Sequence, residues 1–241
     1  MGFVPFAFPT GEFYKKKKKK KGVLAAFNYG GRDFYFDNCN IVRSGYFVLL
    51  GSESIGKTSL VHRFFTCTFN EDVPHQNTLG ASLRSKAMIS NGKTYNIGIW
   101  DTAGSERFVS MMPMYYRDAH AAILCYEPSS SESWTRLRYW LCELKSFVED
   151  CNVYLCGTKK DLLDSGVLQR QVPEDTVATY CQDLKGHFLT SSATGENVEA
   201  MFQKIVEDCV ADCERAMKED EEERRILLRK SESDKKRTCA C

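Results

Sequence analysis

Tyr46-Phe47-Val48-Leu49-Leu50-Gly51-Ser52-Glu53-Ser54-Ile55-Gly56-Lys57-Thr58, running on into Ser59-Leu60-Val61-His62-Arg63-Phe64-Phe65, is the stretch whose reading decides the fold. Five apolar residues predict a buried strand, the Gly-x4-Gly-Lys-Thr pattern a phosphate loop, and the amphipathic run after it a helix. A chance Gly-rich turn is the competing reading, and the strand before and helix after the pattern argue against it. Backbone N–H groups of such a loop cradle the α- and β-phosphates of a nucleotide. Lys57 is placed to reach the β- and γ-phosphates, and the Thr58 hydroxyl to ligate Mg²⁺. Further along, Trp100-Asp101-Thr102-Ala103-Gly104 supplies a second phosphate-handling motif in the order a nucleotide switch requires.

The chain has 241 residues and a formal net charge of +1, so no domain-wide basic excess is present to neutralise nucleic-acid phosphates, and no nucleic-acid partner is expected. Eleven cysteines, scattered through strand-like and helix-like segments, read as reduced buried thiols in a cytosolic protein rather than a disulfide framework. Cys209 and Cys213 share a helix face, but no further His or Cys completes a zinc set, so they read as core packing. No apolar run reaches the length of a membrane span.

Three regions differ in composition. Residues 1–42 begin Gly2-Phe3-Val4-Pro5-Phe6-Ala7-Phe8-Pro9 and carry seven lysines, Lys15 to Lys21. Phe6 stands where a myristoylation signal needs Ser or Thr. The lysine block suits an anionic membrane or a nuclear address, but like charges in a run usually mean a solvated tail. The expectation is a disordered or atypical extension, or a mispredicted exon.

Residues 43–213 alternate strand-like and helix-like segments, the pattern of an α/β fold with a six-stranded, mostly parallel sheet and helices on both faces. Strands are predicted over 45–50, 83–90, 94–100, 121–126, 152–157 and 187–190, with a hairpin at Asn91-Gly92. Helices are predicted over 57–66, 131–148, 174–184 and 196–214, with Pro173 near one start and Gly195 before another. On such sheets ligands sit at the carboxyl ends of strands, where Gly51, Asp101 and the Thr158 to Asp161 segment fall.

These residues resemble the Ras-like small GTPases, and within them the Rab branch, over roughly residues 45–213. The resemblance rests on the P-loop, Thr78-Leu79-Gly80, Trp100 to Phe108, Tyr115-Tyr116-Arg117, Thr158-Lys159-Lys160-Asp161 and Thr190-Ser191-Ser192. It implies a G domain binding GTP or GDP with Mg²⁺. Ser54, Ile55, Gly56, Lys57, Thr58 and Ser59 would hold phosphates, with Thr58, Thr78 and Asp101 at the metal. Thr78 N–H and Gly104 N–H would meet the γ-phosphate from two sides, so that its loss releases both loops. Lys57, Gly104 and the residue at 105 would carry hydrolysis. Asp161 would accept from guanine N1–H and the exocyclic amine, the Lys159 stem would lie over the base, and Ser191, Ser192 and Ala193 would close the pocket, Ser192 N–H meeting guanine O6. A helix cap is the competing role for Asp161.

The departures from the family pattern carry expectations of their own. Ser105 stands where the family ordinarily carries the Gln that orients the attacking water, so slow intrinsic hydrolysis is expected. Activating proteins of the Rab type can supply an arginine and a glutamine in trans. Glu53 sits where the P-loop favours small residues; its carboxylate either faces the γ-phosphate or swings into solvent. Thr158 replaces an Asn that bonds guanine N7 and braces the loops, which predicts weaker binding and faster exchange. Ala193 replaces a common Lys, a minor change. Leu83 replaces the Phe of the hydrophobic triad formed with Trp100 and Tyr115, predicting an unusual effector set.

Residues 214–241 are expected to form a flexible tail. It ends Lys235-Lys236-Arg237-Thr238-Cys239-Ala240-Cys241, which resembles the double geranylgeranylation site of Rab proteins at Cys239 and Cys241. Ile226-Leu227-Leu228 is a candidate contact for the escort protein that presents the tail. The partners implied are that escort protein, a GDP-dissociation inhibitor, an exchange factor, an activating protein, effectors and an endomembrane, around a monomer. The atypical pattern is similar to a divergent Rab subgroup linked to autophagic membranes. Two functions stay open here: a slow GTP hydrolase acting as a membrane-anchored switch in vesicle trafficking, and a GTP-binding scaffold with negligible hydrolysis. A P-loop kinase would leave Asp101 to Gly104 and Asp161 unexplained.

Overall fold

A computed structural model describes residues 23–29, 32–37, 43–70, 78–105, 112–116, 119–148 and 151–238. The strands are β1 (Val23–Tyr29), β2 (Arg32–Asp37), β3 (Arg43–Leu50), β4 (Ala81–Ser90), β5 (Lys93–Thr102), β6 (Ala121–Tyr126), β7 (Asn152–Gly157) and β8 (Gly186–Leu189). The helices are α1 (Lys57–Thr66), α2 (Pro113–Tyr116), α3 (Ser131–Phe147), α4 (Lys160–Asp164), α5 (Glu174–Cys181) and α6 (Val198–Thr238). Six strands form one sheet in the order β4-β5-β3-β6-β7-β8, with β4 antiparallel to β5 and every other pairing parallel. The predicted α/β fold is therefore present, with all six strands within two or three residues of the expected bounds.

Strand periodicity divides β3 between two cores. Phe47 and Leu49 face one side with α1 and α6, where the Phe64 and Phe202 rings stack 4.0 Å apart. Val48 and Leu50 face the other with α3 and α5, including Trp140, Leu144 and Val177. β6 is central and buried along its whole length, as a strand covered on both faces must be. Asn91 and Gly92, with φ of 50° and 70°, make the tight turn between β4 and β5 that the Asn-Gly pair predicted. Cys125 and Cys156 are fully buried neighbours on β6 and β7, and Cys209 packs against the first core. Cys67 and Cys142, however, are exposed.

The backbone differs from expectation at both ends. β1 and β2 pair as an antiparallel hairpin inside the segment expected to lack structure. α6 does not stop at 214 but runs 41 residues to Thr238. Its last part contains Ala, Met, Leu, Glu, Lys and Arg with no Gly or Pro, all good helix formers. Lys218 and Glu222, Asp220 and Arg224, and Glu221 and Arg225 stand four apart with opposite charge. Charge density, which suggested a flexible tail, here coincides with helix propensity. Among the described residues no helix is long and apolar enough to cross a membrane.

Candidate nucleotide and magnesium site

Four loops expected at the site leave the carboxyl ends of parallel strands, whereas Thr78 lies just before β4. Gly51 follows β3, Gly104 lies just beyond β5, Thr158 follows β7 and Ser191 lies just beyond β8. Gly51 has φ of 148°, and a Cβ there would lie 2.5 Å from the Cys125 carbonyl oxygen, so only glycine fits. Gly56, at φ 97°, turns the chain into α1, whose first turn has no side-chain cap and no acidic residue. That leaves the helix N-terminus as an anion site. Lys57 is buried and donates from Nζ to the Gly51 and Ser52 carbonyls at 2.9 and 2.7 Å, which centres its charge inside the loop. Burial pulls its pKa below the ordinary value, opposed by nearby acidic groups including Asp101 and Glu53.

The three residues expected at the metal converge. Thr58 Oγ1 and Thr78 Oγ1 are 2.8 Å apart although twenty positions separate them in sequence. Asp101 is buried; burial raises its pKa, while a hydrogen bond from Thr58 and the charges of Lys57 and Arg84 act the other way. Its Oδ1 is buried with no hydrogen-bond partner, an arrangement that costs free energy unless a cation or donor meets it. Two hydroxyls and an orphaned carboxylate oxygen form an all-oxygen donor set of the kind a hard divalent cation takes, so these residues fit Mg²⁺.

Gly104 is pressed against the P-loop: a Cβ there would lie 2.3 Å from the Glu53 nitrogen and from the Ser52 carbonyl carbon. Ala103 N–H donates to the Gly80 carbonyl at 2.7 Å, tying the two switch segments together. On the base side, Ser191 is fully buried and its hydroxyl donates to Asp161 Oδ1 at 2.5 Å, while Thr194 N–H donates to the Ser191 hydroxyl. Lys160 N–H donates to the Thr190 carbonyl, so the segments after β7 and β8 form one wall. Ser192 and Ala193 lie on that wall, half-buried.

Residues 46–211 match the Ras family. The chain belongs to that family, as a Rab-like small GTPase. Over 162 residues it is 41% identical to the Ras-related protein Rab-24 of Dictyostelium discoideum, covering 67% of this chain and 78% of that protein. It is 39% identical over 168 residues to the Ras-related protein Rab5A of Oryza sativa subsp. japonica (69% and 80% covered). It is also 39% identical over 160 residues to the human Ras-related protein Rab-4B (66% and 72%).

The departures of this Rab-like GTPase from its family pattern take definite positions. Thr158 is buried, and its hydroxyl lies 2.6 Å from the Ile55 carbonyl of the P-loop and 3.2 Å from that of Tyr126. The single hydroxyl thus keeps a loop-to-loop bond, and what it lacks is an amide to offer the base. Glu53 is exposed, and its charge is close enough to act on Lys57. Ser105 is half-buried next to Gly104. Leu83 lies opposite Trp100 across β4 and β5 and is 45% exposed, and the Trp100 and Tyr115 rings sit 5.0 Å apart. Phe108, Arg117, Cys239 and Cys241 lie outside the described residues.

Two participants were not singled out from sequence. Arg63, on α1, donates to the Thr194 carbonyl at 2.6 Å, joining the P-loop helix to the base-side wall. Glu127 ion-pairs with Lys159, Oε2 to Nζ, at 2.6 Å. The one signal for Glu127 was its place just past the carboxyl end of a central strand, where ligands of such sheets gather.

Proposed function

We propose that this protein is a Mg²⁺-dependent GTP/GDP switch in intracellular vesicle traffic, anchored to an endomembrane through lipidated Cys239 and Cys241. The observation that carries the reading is the meeting of Thr58 and Thr78 at 2.8 Å beside the unpaired oxygen of buried Asp101. Thr58 belongs to the P-loop and Thr78 to a segment with no covalent reason to be near it. Thr58, Thr78 and Asp101 would hold Mg²⁺, whose charge would offset that of the phosphates. Thr78 would then be held while its hydroxyl has that partner and released when the γ-phosphate is lost, the order–disorder device of nucleotide switches. Lys57 supplies fixed positive charge at the phosphates. Gly104, packed on the P-loop backbone, has no side chain to separate its N–H from them.

Base selection falls to Asp161, oriented by the Ser191 hydroxyl so that its carboxylate accepts the two neighbouring donors of guanine. The P-loop backbone from Ser54 through Gly56, with Thr58 and Ser59 opening the helix, holds the phosphates, and Ser192 and Ala193 close the pocket beside Lys159. Escort protein, GDP-dissociation inhibitor, exchange factor, activating protein and effectors complete the cycle, and an autophagy-related membrane is the compartment we favour.

Intrinsic hydrolysis is slow in this reading, because the Ser105 hydroxyl ends about two bonds short of a Gln amide and cannot take over its reach to the attacking water. A specific feature favours a second reading, a GTP-bound scaffold: Ser105 replaces the one side chain the family uses for that task. The test is single-turnover phosphate release from GTP-loaded protein, alone and with a Rab-type activating domain. Slow release alone and a stimulation on the order of 10³ or more with the partner supports the switch. Persistence of bound GTP in both arms supports the scaffold. Ser105→Gln is expected to raise the unassisted rate severalfold, and an unchanged rate would mean that something else positions the water.

A further inference from the structure

Glu127 is the ion-pair partner of Lys159. It follows β6 directly, and its backbone N–H donates to the Ser133 hydroxyl at 3.0 Å, which fixes where the side chain starts. Both carboxylate oxygens are engaged: Oε1 accepts from the Ser129 hydroxyl at 2.6 Å and Oε2 from Lys159 Nζ at 2.6 Å. The Glu127 side chain is mostly buried, 16% exposed, whereas the Lys159 side chain is 34% exposed along its length. At its other end Lys159 is constrained too, with φ of 56° and ψ of 38°, a left-handed conformation that few non-glycine residues adopt. The lysine stem is therefore stretched between a locked backbone and an anchored ammonium. It borders the same pocket as Asp161, two residues on, and Thr158, one residue before.

We infer that Glu127 is a positioning residue for guanine nucleotide: by pinning the Lys159 ammonium against the β6–α3 loop, it holds the aliphatic stem as a preformed wall for the base. A free lysine loses rotamer freedom when a ligand packs on it. An anchored one has already lost it, so binding is tighter and release slower. Ser129 acts one step further out, fixing the carboxylate that fixes the lysine. The inference rests on this pocket being the guanine pocket, and its test separates the two.

The experiment follows dissociation of a fluorescent GDP analogue from full-length protein, with and without Mg²⁺, for wild type, Glu127→Ala, Glu127→Gln, Lys159→Met and the double variants. Absence of binding by wild type would overturn the reading of the pocket itself. Given binding, Glu127→Ala is expected to speed dissociation about tenfold, the isosteric Glu127→Gln less, and neither to add to the effect of Lys159→Met, because the anchor then has nothing to hold. The ratio of rates with and without Mg²⁺ is expected to stay at the wild-type value, since the phosphate side is untouched. A wild-type dissociation rate in Glu127→Ala, additive effects in the double variants, or a changed Mg²⁺ ratio would each overturn the role assigned to Glu127. Should Glu127→Ala fail to fold, Glu127→Gln alone and in the Lys159→Met background decides the same question.

Discussion

At the scale of single residues, the instructive position is Thr158. A threonine in place of an asparagine removes an amide, and from sequence the loss looked like a loosened pocket. The hydroxyl instead sits 2.6 Å from the Ile55 carbonyl, so β7 and the P-loop stay joined across a sequence separation of 103 residues. Thr158→Val keeps the shape and deletes that bond, leaving a buried carbonyl unpaired at a cost of about 1–3 kcal/mol. The expected outcome is a lower melting temperature together with GDP release faster by roughly tenfold, read by thermal melts and fluorescent-nucleotide exchange. A melt shift with unchanged release would show that the brace serves the fold and not the pocket.

At the scale of elements, β8 and the end of β6 form a joint beneath the base-side wall. His187 Nε2 and the Tyr126 hydroxyl are 2.9 Å apart and their rings stack, while Tyr126 meets Trp134 edge-on. Burial pushes the His187 imidazole below its ordinary pKa, the Arg170 charge adds to this, and Glu174 opposes it. A base with a depressed pKa in the fold binds its proton more readily when unfolded. Its contribution to stability is therefore present above the unfolded value near 6.5 and is lost as pH falls below it. Thermal melts between about pH 7.5 and pH 5.5 are expected to show falling stability, and His187→Gln to make that fall shallower. An identical slope in the variant would assign the acid sensitivity to other groups.

At the scale of the whole molecule, the nucleotide end of the sheet and the C-terminus are linked through α6. One helix packs Met201, Phe202, Ile205 and Val206 into the core beneath β3 and continues to Thr238, close to Cys239 and Cys241. At 1.5 Å per residue, the stretch after Cys213 spans roughly 38 Å as helix, longer than the same residues would span on average as a flexible coil. Replacing both Cys239 and Cys241 by Ser is expected to move the protein from membrane to soluble fractions of cells. Either single replacement should do so in part, because one lipid chain anchors marginally where two anchor stably. Membrane residence of the double variant would rule out the lipid anchor. What the amino-acid order alone determined was whatever depends on local pattern: the strand, loop and helix around Gly51 to Thr58, the Asn91-Gly92 turn, and the chemical identity of Lys57, Asp101 and Asp161. Periodicity, turn conformation and motif chemistry are properties of neighbours in sequence. Only the tertiary structure decided that Thr158 braces Ile55 and that Glu127 holds Lys159, and it brought Thr58 to Thr78 as the family resemblance implied. Each of these depends on where separate strands end relative to one another, and that register is set by packing across the sheet rather than by any local stretch of chain.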